Sequence, residues 1–309
     1  MEIIYGISNI KKLNKPVLAL GVFDGLHRGH REILKFAVMQ ARKIKGTSVA
    51  LTFWPHPQKE GSLYSLEHRL RLIAELGIDA CVVINFNREF AKISANDFIF
   101  KILVKKIGVS FVCVGKNFRF GRFALGDYRE LALGAKRYNF GLKVFSVIKS
   151  GGEPISSTAI RRLIKKRKIK EAQNLLGRRV SVLGSVIKGS RLGRVLGVPT
   201  ANINPHHEVI PPAGIYAVQI IFSGKRHDGI CYIGTRPTIS IRNKSTRVEV
   251  HIFGFHKDIY GKFLEIQFVK LIRPDQKFAS LKSLSDQIKK DIISCRRILS
   301  RSKHPALSE

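Results

Sequence analysis

Two histidines spaced three residues apart, His27 and His30, lie in the stretch Gly-Val-Phe-Asp-Gly-Leu-His-Arg-Gly-His at residues 21–30. An imidazolium that donates N–H bonds to phosphate oxygens can stabilise the charge that develops on a departing pyrophosphate. Gly25 and Gly29 allow the backbone to approach a ligand closely, and a helix start presents unpaired N–H groups to an anion. The stretch therefore predicts a place to hold phosphate, with two histidines beside it.

Two other interpretations of this stretch are open from the residues alone. The histidines could simply be polar residues at a helix start, or they could be two ligands of a metal. Zinc needs a third and a fourth ligand at suitable spacing, and neither a cysteine nor an H-E-x-x-H pattern supplies them. The spacing of Gly21, Gly25 and Gly29 matches neither the G-x-G-x-x-G turn nor a P-loop. Catalysis and a structural role are equally open at this point, and metal binding ranks below both.

The histidine stretch lies where a predicted strand passes into a predicted helix, because an apolar run precedes it and apolar residues at helical spacing follow it. The same alternation continues to about Ser150. Strands are predicted at 16–23, 47–53, 80–84, 111–114 and 142–147, and helices at 31–45, 66–76, 95–107 and 128–138. This order predicts an α/β domain with a parallel sheet covered on both faces, which binds ligands at the carboxyl ends of its strands.

Three loops that follow predicted strands carry the residue types of a ligand site. The first contains Thr-Phe-Trp-Pro-His-Pro, the second Val-Gly-Lys-Asn-Phe-Arg-Phe-Gly, and the third Ser-Ser-Thr-Ala-Ile-Arg. In the third loop, Ser156, Ser157 and Thr158 are expected to cap a helix that starts nearby. Their hydroxyls, the backbone N–H groups and Arg161 would then converge on one anion.

These motifs resemble the signatures of the FAD synthetases, the adenylyltransferase part of bacterial bifunctional riboflavin kinase/FAD synthetases. The stretch at 21–30 resembles G-x-F-D-x-x-H-x-G-H, and the loops resemble T-F-x-P-H-P, V-G-x-(D/N)-F-x-F-G and S-S-T-x-I-R. The resemblance covers the first half of the chain nearly end to end. It implies a Rossmann-like nucleotidylyltransferase domain that transfers an adenylyl group from ATP to FMN, with Mg²⁺ as a charge partner.

The same resemblance implies roles for individual residues. His27 and His30 would be catalytic, and Asp24 would orient the loop or contact the nucleotide. The residues implied in ATP and phosphate binding are Gly21, Phe23, Asp24, Gly29, Ser156, Ser157, Thr158 and Arg161. The residues implied in flavin binding are Phe53, His56, Pro57, Asn117, Phe118 and Arg119.

The second half of the chain has a different pattern, with short strands and no helices between them. A short helix at 169–176 comes first, strands are predicted at 180–187, 215–221, 229–233, 247–253 and 264–272, and a helix from 281 ends the pattern. This order predicts an antiparallel barrel or sandwich with a terminal helix, in a domain of its own. The domains are predicted at 1–176 and 177–309, with a linker region at about 165–178.

A basic stretch with regularly spaced glycines, at 184–202, is the most informative part of the second half. Its glycines and basic side chains can wrap phosphates through backbone N–H groups, and Thr200 and Asn202 carry hard oxygen atoms of the kind that Mg²⁺ accepts. The stretch resembles the G-R-x-L-G-x-P-T-A-N signature of riboflavin kinases, and I-G-x-R-P-T returns at 233–238. The phosphate-binding residues expected here are Gly184, Gly189, Gly193 and Arg194.

The kinase resemblance implies a riboflavin kinase-like barrel in which Glu249 is the catalytic base. This carboxylate would take the proton of the riboflavin 5′-hydroxyl as the hydroxyl attacks the γ-phosphorus of ATP. Thr200 and Asn202 would hold Mg²⁺. Three positions depart from many relatives, namely Val198, Tyr232 and Asp275, and these departures bear on flavin affinity or turnover rather than on the reaction itself.

Composition sets the outer limits on location and partners. The chain has 309 residues, of which 44% are hydrophobic, so it is long enough for two domains that each bury a core. No apolar run approaches the ~18 residues of a membrane span and no signal-peptide stretch opens the chain, which favours a cytoplasmic protein. The four cysteines are far apart and are predicted to be reduced core thiols.

The net charge of +33, from 55 basic and 22 acidic residues, would attract nucleic acid, an anionic membrane surface or polyphosphate substrates. Because the basic residues are spread over the whole chain, we interpret the dense run at 161–170 as a solvated helix face rather than a nucleic-acid site. The sequence as a whole predicts a bifunctional enzyme that uses riboflavin, FMN and ATP. The alternatives are a nucleotidylyltransferase for another phosphorylated substrate and a basic nucleic-acid-binding protein.

Overall fold

A parallel sheet of six strands forms the centre of the N-terminal of two units, Met1–Ala159 and Ile160–Glu309, in a computed structural model. The structure describes residues 1–56, 62–189, 193, 197–235 and 246–302. The strands of this sheet are β1 Glu2–Tyr5, β2 Val17–Leu20, β3 Ser48–Trp54, β4 Ala80–Asn85, β5 Phe111–Gly115 and β6 Gly141–Phe145. Their order is β1-β4-β3-β2-β5-β6 and every neighbouring pair is parallel, which confirms the predicted sheet.

Helices cover both faces of this sheet. They are α1 Arg28–Lys43, α2 Leu66–Ala74, α3 formed by Ala95–Asp97 and Phe98–Ile107, and α4 Tyr128–Tyr138. Leu18 and Leu20 of β2 belong to the same apolar cluster as Phe98 and Ile102 of α3. Since successive strand residues point to opposite faces, the equally buried Ala19 lies on the other face, where α1 contacts β2, β3 and β5.

Two features of the N-terminal unit differ from the sequence prediction. β1 was not predicted, because it is a short edge strand in which only Ile4 is buried, and so it carries no alternating pattern. The helix predicted at 95–107 is present, but its second part, Phe98–Ile107, has the wider π-type turn. Its start follows the prediction, since the hydroxyl of Ser94 accepts a hydrogen bond from the backbone N–H of Asp97 at 3.0 Å.

The C-terminal unit contains a closed antiparallel barrel, which decides between the predicted barrel and sandwich in favour of the barrel. Its strands are β9 Ser181–Ile187, β10 Ala201–Asn204, β11 Gly214–Phe222, β12 Lys225–Thr235, β13 Thr246–Ile252 and β14 Phe263–Pro274. The closed order is β10-β13-β12-β11-β14-β9. β10 was not predicted as a strand, because it has only four residues, of which only Ile203 is buried, and it overlaps the end of the glycine-rich stretch.

Two short helices precede the barrel, and a longer one follows it. They are α5 Ser157–Lys165, α6 Ile169–Leu176 and α7 Leu281–Ser302. α7 packs Cys295 and Leu299 against Ala217 of the barrel, whereas Leu281 at its first position is exposed. A small hairpin, β7 Lys149–Ser150 with β8 Glu153–Pro154, lies in the loop before α5.

The four cysteines are free and buried, as predicted for core thiols. Burial raises the pKa of Cys81 and of Cys113 to about 12, so both thiols stay protonated at neutral pH. In the part of the chain that the structure describes, no helix combines the length and the apolar character that a membrane crossing requires.

Candidate active sites

Loops that follow the parallel strands surround a cavity of about 980 Å³ in the N-terminal unit. The last residues of β2, β5 and β6, which are Leu20, Gly115 and Phe145, line it, so the cavity lies at the carboxyl ends of the strands. The predicted site residues that line it are Gly21, Asp24, His27, Gly29, His30, Phe53, His56, Asn117, Phe118, Arg119, Ser156, Ser157 and Thr158. Pro57 lies outside the described residues.

The turn that leads into α1 has a left-handed backbone at three positions, with φ of 53° at Phe23, 77° at Gly25 and 38° at Leu26. Such a backbone is costly for residues other than glycine and persists only where the surroundings hold it. Here a carboxylate oxygen of Asp24 accepts hydrogen bonds from the backbone N–H of Leu63 at 2.8 Å and of Tyr64 at 3.3 Å. The surrounding chain thus fixes the turn in the shape that carries the histidines.

The rings of His27 and His30 stack on each other with centroids 3.7 Å apart. Phe23 is fully buried and contacts His30 edge to face at 5.5 Å, so it supports the histidine instead of lining the cavity. Burial lowers the pKa of His27 to about 4. Burial also lowers the pKa of His30 well below its usual value, and the charges of His27 and Arg69 act in the same direction. Both rings are therefore neutral at pH 7.

The Nδ1 atoms of His27 and His30 are buried and have no hydrogen-bond partner among the described residues. Buried polar atoms are normally paired, and unpaired ones mark a site where something else binds. A neutral imidazole still donates one N–H bond. The stacked pair therefore presents hydrogen-bonding capacity that the protein itself does not use, at the wall of the cavity.

The third loop brings hydroxyls to the same cavity. The Ser156 hydroxyl accepts a hydrogen bond from the backbone N–H of Ala159 at 3.2 Å, which is the predicted cap at the start of α5. The Ser157 hydroxyl donates to the carbonyl oxygen of Asp24 at 2.8 Å and so joins this loop to the histidine turn. Arg161 lies further along α5 and is assigned to the C-terminal unit.

Arg161 also corrects one sequence prediction. It is buried, with 6% of its surface exposed, so the dense basic run at 161–170 is not solvated throughout. The exposed members of that run are Arg162, Lys165, Lys166, Arg167, Lys168 and Lys170. The prediction of a solvated face is wrong for Arg161 because Arg161 lies on the apolar side of α5 with Ile160 and Ile164.

The aromatic loops carry the residues predicted for flavin. Phe118 stacks on Phe120 at 5.8 Å, and Arg119 pairs with Asp127 at 2.7 Å, which fixes the second loop next to the cap of α4. The imidazole of His56 lies 3.9 Å from the Asp24 carboxylate. Both aromatic rings and hydrogen-bonding groups line the cavity, which suits a planar ligand that carries phosphate.

Sequence analysis missed Arg69, the largest fully buried side chain of the structure. A signal was available, because Arg69 lies on α2 between Leu66 and Ile73 at the spacing that places residues on one helix face. A charged residue at a core position of an amphipathic helix is an exception to the usual pattern.

In the C-terminal unit Glu249 lies on β13, directly opposite Asn202 of β10 and Tyr232 of β12. Val248 and Val250 are buried on the other face, so the predicted alternation along this strand is confirmed. One carboxylate oxygen of Glu249 accepts a hydrogen bond from the Thr200 hydroxyl at 3.3 Å. The other oxygen forms an ion pair with Arg247 on the same strand.

Thr200, Asn202 and Glu249 therefore come together although they are far apart in sequence. The Thr200 hydroxyl donates a hydrogen bond to Glu249, which leaves the lone pairs of the hydroxyl oxygen available to a cation. The Asn202 amide lies where a Cβ atom on Gly189 would be, so only glycine allows the basic stretch to approach it. These neutral oxygen donors fit Mg²⁺ held jointly with phosphates. Among the described residues, no cluster of His, Cys, Asp and Glu could hold a metal by itself.

The glycines of the basic stretch differ in their surroundings. Gly184 lies inside β9, and a side chain there would meet Ile203 and Asn204 of the neighbouring strand. The carbonyl oxygen of Gly193 accepts a hydrogen bond from the backbone N–H of Val198 at 2.8 Å, and a Cβ atom on Gly193 would lie 3.0 Å from the Thr200 hydroxyl oxygen. Arg194 lies outside the described residues, and the phosphate contacts of all four positions stay predictions.

Two of the three departures from the kinase pattern contact each other. The Tyr232 hydroxyl donates to the Asp275 carboxylate at 3.3 Å, and the Tyr232 ring lies over Gly234, where any side chain would collide with it. Burial raises the pKa of Tyr232, and Asp275 adds to the shift, so the hydroxyl stays protonated. Asn202, Glu249 and Tyr232 thus lie side by side on three adjacent strands, β10, β13 and β12, and we call them the Glu249 row.

The chain is similar to known proteins over its whole length. The FAD synthetase family model matches residues 9–159, and the riboflavin kinase family model matches residues 176–299. A relative from Escherichia coli (strain K12), a bifunctional riboflavin kinase/FMN adenylyltransferase, is 36% identical and the alignment covers 98% of this chain and 99% of the relative. A relative of the same name from Pseudomonas fluorescens is 31% identical, with 98% of this chain and 100% of that protein covered.

One solved structure shares the fold of the whole chain. The crystal structure of a macrolide-efflux protein from Streptococcus pneumoniae has a TM-score of 0.82 and 28% sequence identity. The similarity covers 96% of this chain and 99% of that one. The arrangement of a parallel sheet followed by a closed barrel is therefore not peculiar to this sequence.

Proposed function

We propose which residues carry out each of the two reactions of this chain. The chain belongs to the bifunctional riboflavin kinase/FMN adenylyltransferases. The enzyme phosphorylates riboflavin to FMN with ATP, and it transfers an adenylyl group from ATP to FMN, which gives FAD and pyrophosphate. The two alternatives, another phosphorylated substrate or nucleic-acid binding, gain no support from the relatives. We assign adenylyl transfer to the cavity of the N-terminal unit and phosphorylation to the Glu249 row of the barrel.

In the adenylyl transfer, a phosphate oxygen of FMN attacks the α-phosphorus of ATP, and pyrophosphate leaves. His27 and His30 donate hydrogen bonds to the phosphates and stabilise the charge that builds up on the leaving group. Ser156, Ser157 and Thr158 add hydroxyls and the N-terminal N–H groups of α5. The observation that carries this assignment is the buried histidine pair, whose Nδ1 atoms have no partner among the described residues.

The remaining residues of the cavity position the two substrates. We assign the phosphate side to the turn, with Gly21, Asp24 and Gly29, whereas phosphate binding by Arg161 stays a prediction from the resemblance. The flavin side comprises the aromatic and polar loop residues Phe53, His56, Asn117, Phe118 and Arg119, all of which line the cavity. Little covalent work falls to the protein here, so rate comes from orientation and from charge stabilisation.

In the phosphorylation, Glu249 takes the proton of the riboflavin 5′-hydroxyl as that oxygen attacks the γ-phosphorus of ATP. Thr200 and Asn202 are the residues we assign to Mg²⁺, which when bound offsets the charge of the ATP phosphates. The basic stretch with Gly189 and Gly193 wraps the phosphates. The observation that carries this assignment is the contact between Thr200 and Glu249, which joins the proposed metal ligand to the proposed base.

We also propose the cytoplasm as the location of the enzyme and residues 1–176 and 177–309 as its domains. Four buried, free cysteines suit a reducing compartment. The family models support a division between residues 159 and 176, since one ends at 159 and the other begins at 176.

A chromatographic time course with purified protein, riboflavin, ATP and Mg²⁺ tests the assignment of both activities. We expect FMN to rise first and then to pass into FAD. A parallel reaction started from FMN isolates the second step. If neither reaction converted flavin, the enzyme assignment would be wrong, and the basic surface would need another explanation.

A further inference from the structure

A fully buried arginine, Arg69, contacts the start of the histidine turn in the N-terminal unit. Arg69 on α2 has 0% of its surface exposed. One of its terminal nitrogens, Nη1, donates to the carbonyl oxygen of Val22 at 2.6 Å, to the hydroxyl of Thr52 at 3.1 Å and to the carbonyl oxygen of Phe53 at 3.3 Å. Arg69 therefore ties the end of β3 to the residue that opens the histidine turn.

The other two guanidinium nitrogens, Nε and Nη2, are buried and have no hydrogen-bond partner among the described residues. A buried charge with incomplete hydrogen bonding costs stability, and an apolar side chain of similar size at such a position is often neutral or stabilising. Burial also lowers the pKa of Arg69, and the carboxylate of Asp24 opposes this shift. Stability alone therefore gives no reason for an arginine at this position.

The contact with Val22 gives such a reason. The carbonyl oxygen of Val22 also accepts a hydrogen bond from the Thr52 hydroxyl at 2.8 Å, so two donors fix one peptide plane. That peptide directly precedes Phe23, the first of the three left-handed residues of the turn. This anchor therefore holds the start of the turn that carries His27 and His30, whereas the contacts of Asp24 hold its middle.

We propose that Arg69 is a positioning residue for adenylyl transfer, which holds the Val22 carbonyl and thereby sets the histidine turn against the cavity. Arg69 does not line the cavity itself, so the proposal assigns it no contact with substrate. The inference rests on the proposed function, because it presupposes that the histidine turn serves adenylyl transfer. It adds a residue of α2, an element that none of the recognised sequence motifs includes.

The test replaces Arg69 with methionine and with lysine and measures both reactions of the full chain. A turn displaced by about 1 Å is expected to lower kcat for FAD formation from FMN about 10²-fold. KM for FMN should stay within threefold, because the aromatic loops are untouched. FMN formation from riboflavin in the barrel should be unchanged and serves as a control in the same molecule. Arg69→Lys, which keeps the charge and a donor, should recover part of the loss.

A second readout separates positioning from a merely structural role. Trp54 is the single tryptophan of the chain, and the Arg69 guanidinium lies 5.5 Å from its ring, so tryptophan fluorescence follows the N-terminal unit alone. We expect the urea midpoint of Arg69→Met to equal or exceed that of the wild type. Arg71→Met, on the same helix and in an ion pair with Glu75 at 3.4 Å, is the matched control and should leave kcat unchanged.

Three results would overturn the proposal. One is Arg69→Met with kcat for FAD formation within threefold of the wild type. Another is a loss of kcat that only accompanies a lower urea midpoint, since that would make Arg69 a structural residue. The third is an equal loss in Arg71→Met. A wild-type protein that forms no FAD from FMN would instead contradict the proposed function itself, so the two failures are distinguishable.

Discussion

The two proposed sites hold their candidate reactive groups in different surroundings. In the N-terminal cavity, His27 and His30 are buried, neutral and without a partner for Nδ1 among the described residues. On the barrel, one carboxylate oxygen of Glu249 accepts a hydrogen bond from Thr200, and the other forms an ion pair with Arg247 but is buried without a hydrogen-bond partner among the described residues. The first site presents two neutral rings, and the second presents a carboxylate between a hydroxyl and an arginine.

This difference follows from the two folds. A parallel sheet gathers its loops at one edge and encloses a cavity, so a catalytic pair can be removed from water before substrate arrives. A closed antiparallel barrel has a filled interior, so a polar row must lie on its outer face, where side chains need partners from adjacent strands. Leaving-group stabilisation suits the enclosed pair, and proton removal suits the oriented carboxylate.

The largest effect is expected from Glu249→Gln, which keeps the shape of the side chain and removes the base. FMN formation from riboflavin should fall by about 10²- to 10⁴-fold, the usual contribution of a positioned base. Initial rates measured by flavin chromatography check it. FAD formation from supplied FMN should be unchanged, and a loss of both reactions in a folded variant would erase the contrast between the two sites.

His30→Ala is expected to impair FAD formation and to spare FMN formation, the opposite of Glu249→Gln. Removing one donor to a developing charge is expected to lower FAD formation from FMN by about 10²- to 10³-fold. FMN formation in the barrel should not change. The measurement is kcat for each reaction in the same preparation. Retention of full FAD formation would mean that the buried pair supports the turn only, which was the structural interpretation left open by the sequence.

Asp291→Ala is expected to destabilise the C-terminal unit. Asp291 of α7 is buried and accepts hydrogen bonds from Nε of Arg273 at 3.0 and 3.1 Å and from its Nη2 at 2.8 Å. Breaking such a pair leaves a buried charge and is expected to cost about 3 to 5 kcal/mol in the free energy of unfolding. Urea unfolding followed by circular dichroism measures it. Asp286→Ala, on the exposed side of the same helix with Lys289 at 4.0 Å, is the control and should cost less than about 1 kcal/mol.

The smallest effect concerns pH and the N-terminal unit. The pKa of His27 is about 4 in the folded chain, below the value of 6.5 for the unfolded one, so the unfolded chain binds more protons between these values. The N-terminal unit should therefore lose stability as the pH falls through 6.5 toward 4, by on the order of 2 kcal/mol between pH 7 and pH 5.

Urea unfolding followed by Trp54 fluorescence measures this loss at both pH values. His27→Gln should reduce the dependence on pH, and His30, whose pKa is lowered in the same direction, should account for part of what remains. An unchanged dependence in His27→Gln would show that His27 is not held neutral by burial. The contrast with the charged pair on the barrel would then fail.

Much of this architecture is readable from the sequence, because periodicity and capping are local. The helices at Tyr128–Tyr138 and Ile169–Leu176 have the predicted limits, and the motif residues of the N-terminal unit meet at strand ends as expected. β1 was missed because an edge strand buries few side chains, and β10 because it has only four residues and buries only Ile203. In both cases the strand exists through its pairing with distant partners.

The limits for the sites are of the same kind. Residue spacing does not fix the directions of side chains. Three contacts depend on those directions, namely the stacking of His27 on His30, the ion pair of Arg247 with Glu249 and the hydrogen bond of Arg69 to Val22. The sequence motif suggests that Gly184 binds phosphate. The structure gives this glycine a further reason, since a side chain there would collide with Ile203 and Asn204 where β9 packs against β10.

The most direct test of two separate sites is a mixture of the two damaged enzymes. Equal amounts of His30→Ala and Glu249→Gln are incubated with riboflavin, ATP and Mg²⁺, and the flavins are separated by chromatography. We predict that neither variant alone forms appreciable FAD from riboflavin, whereas the mixture does, because FMN made by the first is adenylylated by the second. A mixture that stays without FAD, with both variants folded, would contradict the division of labour proposed for this chain.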